Sequence, residues 1–179
     1  MKSCLAVALA IVLAGLSVSS ALAGDIVDEV RVGVGGNLTG DTSRDKGVVG
    51  SAEVYIAPFH SGQTGLAKAL LEPRIQVGVS GGADTTDQAY LGLNWHVPIT
   101  EAFFAEIGAG GTVHNGNLDS GTGPLLGCRF LFREHAALGM HVSENVSVMA
   151  TIDHSSNANL CNGPNDGLTH AGLAIGVRF

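Results

Sequence analysis

Apolar residues alternate with polar residues and glycines along most of this chain. Successive side chains of a β-strand point to opposite faces, so this alternation predicts strands that each have one apolar face. Eight stretches of the sequence show the pattern. They fall at residues 30–35, 53–56, 74–80, 88–97, 103–112, 126–142, 145–154 and 170–179. The chain is therefore predicted to be all-β.

The second face of these strands indicates which all-β fold they form. It carries charged side chains and many of the 26 glycines, in a chain that is 45% hydrophobic. That face is too polar and too rich in glycine for the wall of a soluble core. In a membrane barrel, apolar residues face lipid, and polar or small residues fill an interior that eight strands leave just wide enough. We predict an eight-stranded antiparallel transmembrane β-barrel of the bacterial outer membrane; the alternative is a soluble ligand carrier with its apolar faces inside.

Both ends of the chain fit export to that membrane. Residues 1–23 are typical of a secretory signal peptide, with Lys2 before an apolar run and Ala21-Leu22-Ala23 as a small-residue cleavage site. Residues 24–179 would then form the single barrel domain. The aromatic residue Phe179 at the end resembles the assembly signal of bacterial outer-membrane barrels. A formal net charge of −7, without a basic patch, argues against nucleic acid as a partner.

The connections between strands suggest an orientation for the barrel. With the N-terminus in the periplasm, the turns at residues 98–101 and 143–145 lie on the periplasmic side, where short turns are usual. Three segments rich in Gly and Asp become extracellular loops. They are residues 39–47, 115–123 and 155–166. Residues 58–73 fit less well, because they form a long periplasmic connection with a short helix-like run at 66–71.

Charged residues and histidines recur on the predicted inward face. Those that favour a hydrogen-bonded network in the lumen are Glu53, Glu106, Arg129 and Arg133. The inward histidines are His135, His141 and His170. They could meet at a metal ion, but their spacing is not typical of metal ligands, so we favour their inclusion in the network.

Two cysteines follow the predicted signal peptide, Cys128 and Cys161. In an oxidising compartment an even number of cysteines favours a disulfide, and two free thiols are the alternative.

A histidine lies on the apolar face of the seventh predicted strand. That face consists of Val146, Val148, Ala150 and Ile152, and His154 and Ser156 continue it. An ionisable side chain that faces lipid is costly and therefore indicates a function. A base and a hydroxyl two residues apart suggest a nucleophilic pair. The alternative is a histidine at the base of a loop, level with the lipid headgroups.

The sequence from His154 onward resembles a known signature. Residues 154–160 read H-S-S-N-A-N-L, and residues 164–168 read P-N-D-G-L. They are similar to the H-x-S-N-A-G-L and P-N-x-G-[IL]-[ED] motifs of the PagL lipid A 3-O-deacylases, which are eight-stranded outer-membrane barrels with the active site on the outer wall. The resemblance implies a serine esterase that hydrolyses the 3-O-linked acyl chain of lipid A in lipopolysaccharide and needs no metal or other cofactor.

The resemblance also implies a role for each residue of the signature. Ser156 would be the nucleophile, His154 its general base and Asn157 a stabiliser of the oxyanion. The orienting acid of the family falls at Thr169, whose hydroxyl can accept the imidazole N–H but supplies no negative charge. Asp166 could substitute if its loop folds back, although this aspartate, followed by glycine, also suits a turn, and Thr169 also suits a strand.

The missing acid motivates a second hypothesis, a non-catalytic structural or interaction barrel on the same scaffold. It predicts that Ser156 and His154 are not within hydrogen-bonding reach. The sequence leaves open whether the barrel forms a homodimer.

Overall fold

The computed structural model describes residues 27–38 and 45–179, which form eight strands and one short helix. The strands are β1 (Val27–Asn37), β2 (Val48–Ile56), β3 (Arg74–Gly81), β4 (Gln88–Pro98), β5 (Phe103–His114), β6 (Phe130–His141), β7 (Val146–Ser156) and β8 (Leu168–Arg178). The helix α1 (Gly65–Leu71) lies between β2 and β3. The predicted signal peptide, residues 1–23, is outside the described residues.

Each strand pairs antiparallel with the next, and β8 returns to β1, so the sheet closes into a barrel. The closing register places Val30 opposite Val177 and Val34 opposite Leu173. Closure satisfies the backbone hydrogen bonds of every strand within the sheet, which the interior of a bilayer requires. The predicted eight-stranded antiparallel barrel is confirmed.

The outer wall of the barrel is apolar, as the alternation predicts. Val77, Leu91, Ile107, Leu138 and Leu173 come from five different strands, and each is exposed on that wall. Such a band is what a barrel presents to lipid. No helix within residues 27–38 and 45–179 is long and apolar enough to cross a bilayer.

The lumen is filled by a network of buried charges. Glu106 accepts hydrogen bonds from Arg31 at 3.0 Å and from Arg74, and both guanidinium groups also bind Glu29. The Tyr55 hydroxyl accepts from Arg31 at 2.8 Å. Buried ionised groups are tolerated only when they are paired and hydrogen-bonded, which this arrangement achieves. The predicted lumen network is confirmed for Glu53, Glu106 and Arg133, which are buried inside the barrel, whereas Arg129 is not part of it.

Two of the three inward histidines have polar partners in the lumen, while the buried Nδ1 of His135 has no hydrogen-bond partner among the described residues. His170 and Arg133 lie 3.4 and 3.6 Å from the Asp153 carboxylate, while His141 Nδ1 lies 2.9 Å from Ser147 Oγ. Among the described residues, no group of three or more His, Cys, Asp or Glu is arranged to hold a metal ion.

The start of β6 differs from the sequence prediction. The strand begins at Phe130, because Gly127 adopts a left-handed φ of 73° that interrupts the extended chain. Arg129 is therefore not inward: it is exposed, and its guanidinium donates to the carbonyls of His114 and Gly116. Leu126, expected on the lipid side, is fully buried and forms an apolar cluster with Leu131 and Leu168.

The connection between β2 and β3 contains the predicted short helix. The leucines of α1 are exposed, at Leu66, Leu70 and Leu71. The indole N–H of Trp95 donates to the carbonyl of Leu70 at 3.1 Å and fastens α1 to β4.

Candidate active site

Three polar side chains lie side by side across the outer wall. In the strand register, Glu134 of β6 pairs with His154 of β7, and His154 pairs with Thr169 of β8. All three occupy the face that points away from the lumen, because their neighbours along each strand, Arg133, Ser155 and His170, are buried inside. The row lies toward the end of the barrel where β6 and β8 begin and β7 ends.

His154 is held from one side by the threonine at the position of the family acid. Its Nδ1 lies 2.9 Å from Thr169 Oγ1, and the ring is exposed. The Cε1 and Nε2 atoms of the ring face Gly167: a Cβ atom at that residue would lie 3.0 Å from His154 Cε1 and 3.6 Å from Nε2. The register thus places Thr169 directly beside His154, with its hydroxyl within hydrogen-bonding distance of the imidazole.

Ser156 lies two residues beyond His154 on the same face, at the end of β7. Its register partner is Phe132, which stacks edge-on against Phe130 with ring centroids 5.9 Å apart. The serine hydroxyl is thus flanked by an exposed aromatic surface suited to an acyl chain. No hydrogen bond joins His154 to Ser156 in the described part of the chain.

Asn157 organises the loop that follows β7. The residue is 1% exposed, and its Nδ2 donates to the carbonyls of Leu126 at 2.9 Å and Pro164 at 3.0 Å. Its backbone N–H donates to Asn165 Oδ1, and its Oδ1 accepts from the N–H of Asn159. Every polar group of the Asn157 side chain is therefore hydrogen-bonded within the loop and its neighbouring segment. A direct contact with an oxyanion would require one Nδ2–H to give up its bond to Leu126 or Pro164.

A tight turn follows Asn157. Ala158 and Asn159 have φ values of 52° and 59°, and Asn tolerates this left-handed region better than most residues. Asn159 stands where the similar family motif has glycine. Asparagine and glycine both tolerate a positive φ, so either residue fits this turn. Sequence reasoning could not place Asn157 in the loop, because its partners Leu126 and Pro164 are distant in sequence.

Asp166 connects the loop between β7 and β8 to the segment before β6. Its carboxylate accepts the N–H of Leu125 at 2.9 Å, and its own N–H donates to the Leu125 carbonyl at 3.0 Å. Gly167, next in sequence, has a left-handed φ of 69°. This paired contact gives Asp166 a structural role in the loop.

The same two segments are joined covalently. Cys128 and Cys161 form a disulfide with an S–S distance of 1.99 Å across a sequence separation of 33 residues. The predicted disulfide is confirmed. Together with the contacts of Asn157 and Asp166, it fixes the loop beside Ser156.

These features define an outer-membrane barrel with a candidate hydrolytic site on its lipid-facing wall. Residues 89–178, half of the chain, match the family model described as lipid A 3-O-deacylase (PagL). The chain therefore belongs to the PagL family of lipid A 3-O-deacylases, and it is an outer-membrane hydrolase that acts on lipid A. A comparison with curated proteins found no match.

Solved structures support the same fold. The crystal structure of the outer membrane enzyme PagL is 19% identical, with a TM-score of 0.63, and the alignment covers 84% of this chain and 99% of that chain. A de novo designed transmembrane β-barrel is 14% identical, with a TM-score of 0.56 and coverage of 87% and 96%. The N-terminal barrel domain of Pseudomonas aeruginosa OprF is 16% identical, with a TM-score of 0.50 and coverage of 86% and 99%. At these identities the structural likeness concerns the fold alone.

Proposed function

We propose that this lipid A deacylase works by a serine mechanism in which Ser156 is the nucleophile and His154 the general base. The observation that carries the proposal is the contact of 2.9 Å between His154 Nδ1 and Thr169 Oγ1 on the lipid-facing wall. If Thr169 accepts the Nδ1 proton, the neutral imidazole keeps Nε2 free as a base. This is the tautomer that a Ser–His pair requires.

The proposed reaction proceeds in two halves. Ser156 Oγ attacks the carbonyl carbon of the 3-O-linked ester as its proton passes to His154 Nε2. The tetrahedral intermediate collapses when the sugar 3-oxygen leaves and takes that proton from the imidazolium. In the second half, Nε2 takes a proton from water as the water oxygen attacks the acyl-serine carbonyl. The Ser156 Oγ–acyl bond then breaks, Oγ takes that proton back from the imidazolium, and a 3-hydroxy fatty acid is released.

The missing hydrogen bond between Ser156 and His154 is compatible with this mechanism. Catalytic hydrogen bonds are often long in enzymes without substrate and shorten in the substrate complex. Rotation of the serine side chain, which has three staggered positions, can change the distance between Oγ and the ring without moving the backbone.

Asn157 is proposed to support the oxyanion. Its amide could contribute directly if one N–H leaves its carbonyl, and a single oxyanion donor contributes about 3 kcal/mol in related chemistry. Asp166 is the proposed substitute for the family acid, although its contact with Leu125 favours the loop role. The site is built from adjacent strands of one chain, so the proposed reaction needs no homodimer.

The test is mass spectrometry of lipid A from cells that express the wild-type chain, Ser156→Ala or Ser155→Ala. Ser155 is a matched control, because it points into the lumen and bonds Gln88 at 3.1 Å. We expect Ser156→Ala to leave lipid A fully acylated and Ser155→Ala to remove the 3-O-acyl chain. Equal deacylation by the Ser156→Ala and wild-type chains would refute the serine mechanism.

The family assignment counts against the second hypothesis, a non-catalytic barrel, which was motivated by the threonine at position 169. It predicts that the purified protein releases no fatty acid from lipid A in mixed vesicles. Release of 3-hydroxy fatty acid by the wild-type protein, lost in Ser156→Ala, excludes it.

A further inference from the structure

Glu134 is an ionisable residue in the middle of an apolar surface. The other outward residues of β6 include Phe130, Phe132, Leu138 and Met140, all of them exposed. Glu134 is itself exposed on this wall. A carboxylate that faces acyl chains is costly and is retained where it has a function.

The barrel register places this carboxylate beside the proposed general base. Glu134 and His154 are direct partners across β6 and β7. Direct partners in an antiparallel pair have Cβ atoms about 4.5–5.5 Å apart, close enough for their side chains to interact. Thr169 is the direct partner of His154 on the other side. In the strand register, His154 therefore lies between Thr169 and Glu134.

The two neighbours together offer what a single acid offers in a complete triad. An acid orients the imidazole by accepting its N–H, and its charge stabilises the imidazolium that forms during the reaction. Thr169 Oγ1 can accept the imidazole N–H, but a hydroxyl is neutral and supplies no charge. Glu134 supplies a negative charge at the same level of the wall.

We propose that Glu134 provides the charge of the catalytic acid from the strand opposite to Thr169. Glu134 acts through His154 and is a positioning residue in the electrostatic sense. This inference rests on the proposed serine mechanism. When His154 Nε2 takes the proton of Ser156, the imidazolium and the Glu134 carboxylate form an ion pair. When Nε2 returns the proton to the leaving oxygen, the ring is neutral again, and Glu134 carries no proton at any step.

The surroundings of the pair increase its effect. Ile152, next to His154 on the same face, is exposed toward lipid, and Phe132 lies beside Glu134 on β6. Acyl chains packed on these side chains exclude water, and the attraction between opposite charges is stronger where the dielectric constant is low.

The first experiment compares Glu134→Gln, Glu134→Asp and wild type in vesicles that contain lipid A. We expect Glu134→Gln to lower kcat about tenfold, the equivalent of about 1.4 kcal/mol, with KM changed less than about twofold. Glu134→Asp keeps the charge and should recover part of the loss. Glu101→Gln is the control, because Glu101 is an exposed acid in the periplasmic turn. Circular dichroism verifies that each variant forms the barrel.

The second experiment moves the charge to the other neighbour. We expect Thr169→Glu to restore kcat in the Glu134→Gln background and to change the wild type much less. The inference is overturned if Glu134→Gln has the wild-type kcat, or if only its KM increases. It is also overturned if the double variant folds but Thr169→Glu does not restore kcat. If Ser156→Ala is inactive while Glu134→Gln is fully active, only this inference fails; if Ser156→Ala is active, the serine mechanism fails.

Discussion

The buried charge network predicts that one lumen carboxylate contributes much of the stability of the barrel. Glu106 has a side chain that is 0% exposed, and it lies 3.0 Å from Arg31 and 2.9 Å from His96 Nδ1. Removing one partner of a buried ion pair typically costs about 3–5 kcal/mol, because the remaining charge is left without compensation. Arg31 and Arg74 keep Glu29 as a partner, so we expect the lower part of that range, about 3 kcal/mol, for Glu106→Ala.

The assay is unfolding by urea of the protein refolded in phospholipid vesicles, followed by the fluorescence of Trp95, the one tryptophan of the chain. Glu106→Gln keeps an acceptor oxygen and should lose about 2 kcal/mol, since the charge is gone but one hydrogen bond can remain. Glu101→Ala is the control and should change the free energy of unfolding by less than about 0.5 kcal/mol. A loss below about 1 kcal/mol for Glu106→Ala would contradict the assignment of a stabilising role to the network.

Three further predictions concern the loop and the turn beside Ser156. Gly167→Ala should lower the deacylation rate at least about tenfold, because the new Cβ would lie 3.0 Å from His154 Cε1 and residue 167 has a φ of 69°. The rate is measured as fatty acid release, and an unchanged rate would show that the imidazole ring can move freely. Asn157→Ala leaves two loop carbonyls without their donor and should lower the free energy of unfolding by about 2 kcal/mol and make the loop sensitive to added protease; an intact loop in a protease digest would contradict this. The double substitution Cys128→Ser with Cys161→Ser should destabilise the barrel by up to about 4 kcal/mol, because it removes a cross-link between residues 33 positions apart. The measurement is a lower Tm than that of the oxidised wild type, and reduction of the wild type with dithiothreitol should lower the Tm equally.

The barrel was predictable because its pattern is local. A strand of a membrane barrel repeats every two residues, and a one-residue shift in register would turn its lipid-facing side chains into the lumen. His154 and Thr169 could thus be assigned to the outer wall, and to neighbouring strands, from alternation and strand order alone. The lumen network followed from the same assignment, since inward charges of both signs must pair with one another.

The extracellular loops were less predictable because their contacts join segments that are distant in sequence. Alternation continued through Leu126 and Arg129, but Gly127 ends the extended conformation there, so the lipid-facing and inward predictions for those two residues were wrong. The role of Asn157 in the loop depends on carbonyls 31 and 7 residues away. The position of Glu134 beside His154 depends on the register between two strands, which the sequence indicates only once the turn between them is fixed.

The row of Glu134, His154 and Thr169 on the outside of the barrel has a kinetic consequence. A substrate that reaches these residues does so by diffusion in the plane of the leaflet, so its effective concentration is a mole fraction among the surrounding lipids and not an amount per volume. Adding inert lipid at a constant total amount of lipid A should then slow the reaction by surface dilution, whereas adding buffer should not. The turnover of such an enzyme depends on the composition of the membrane around it.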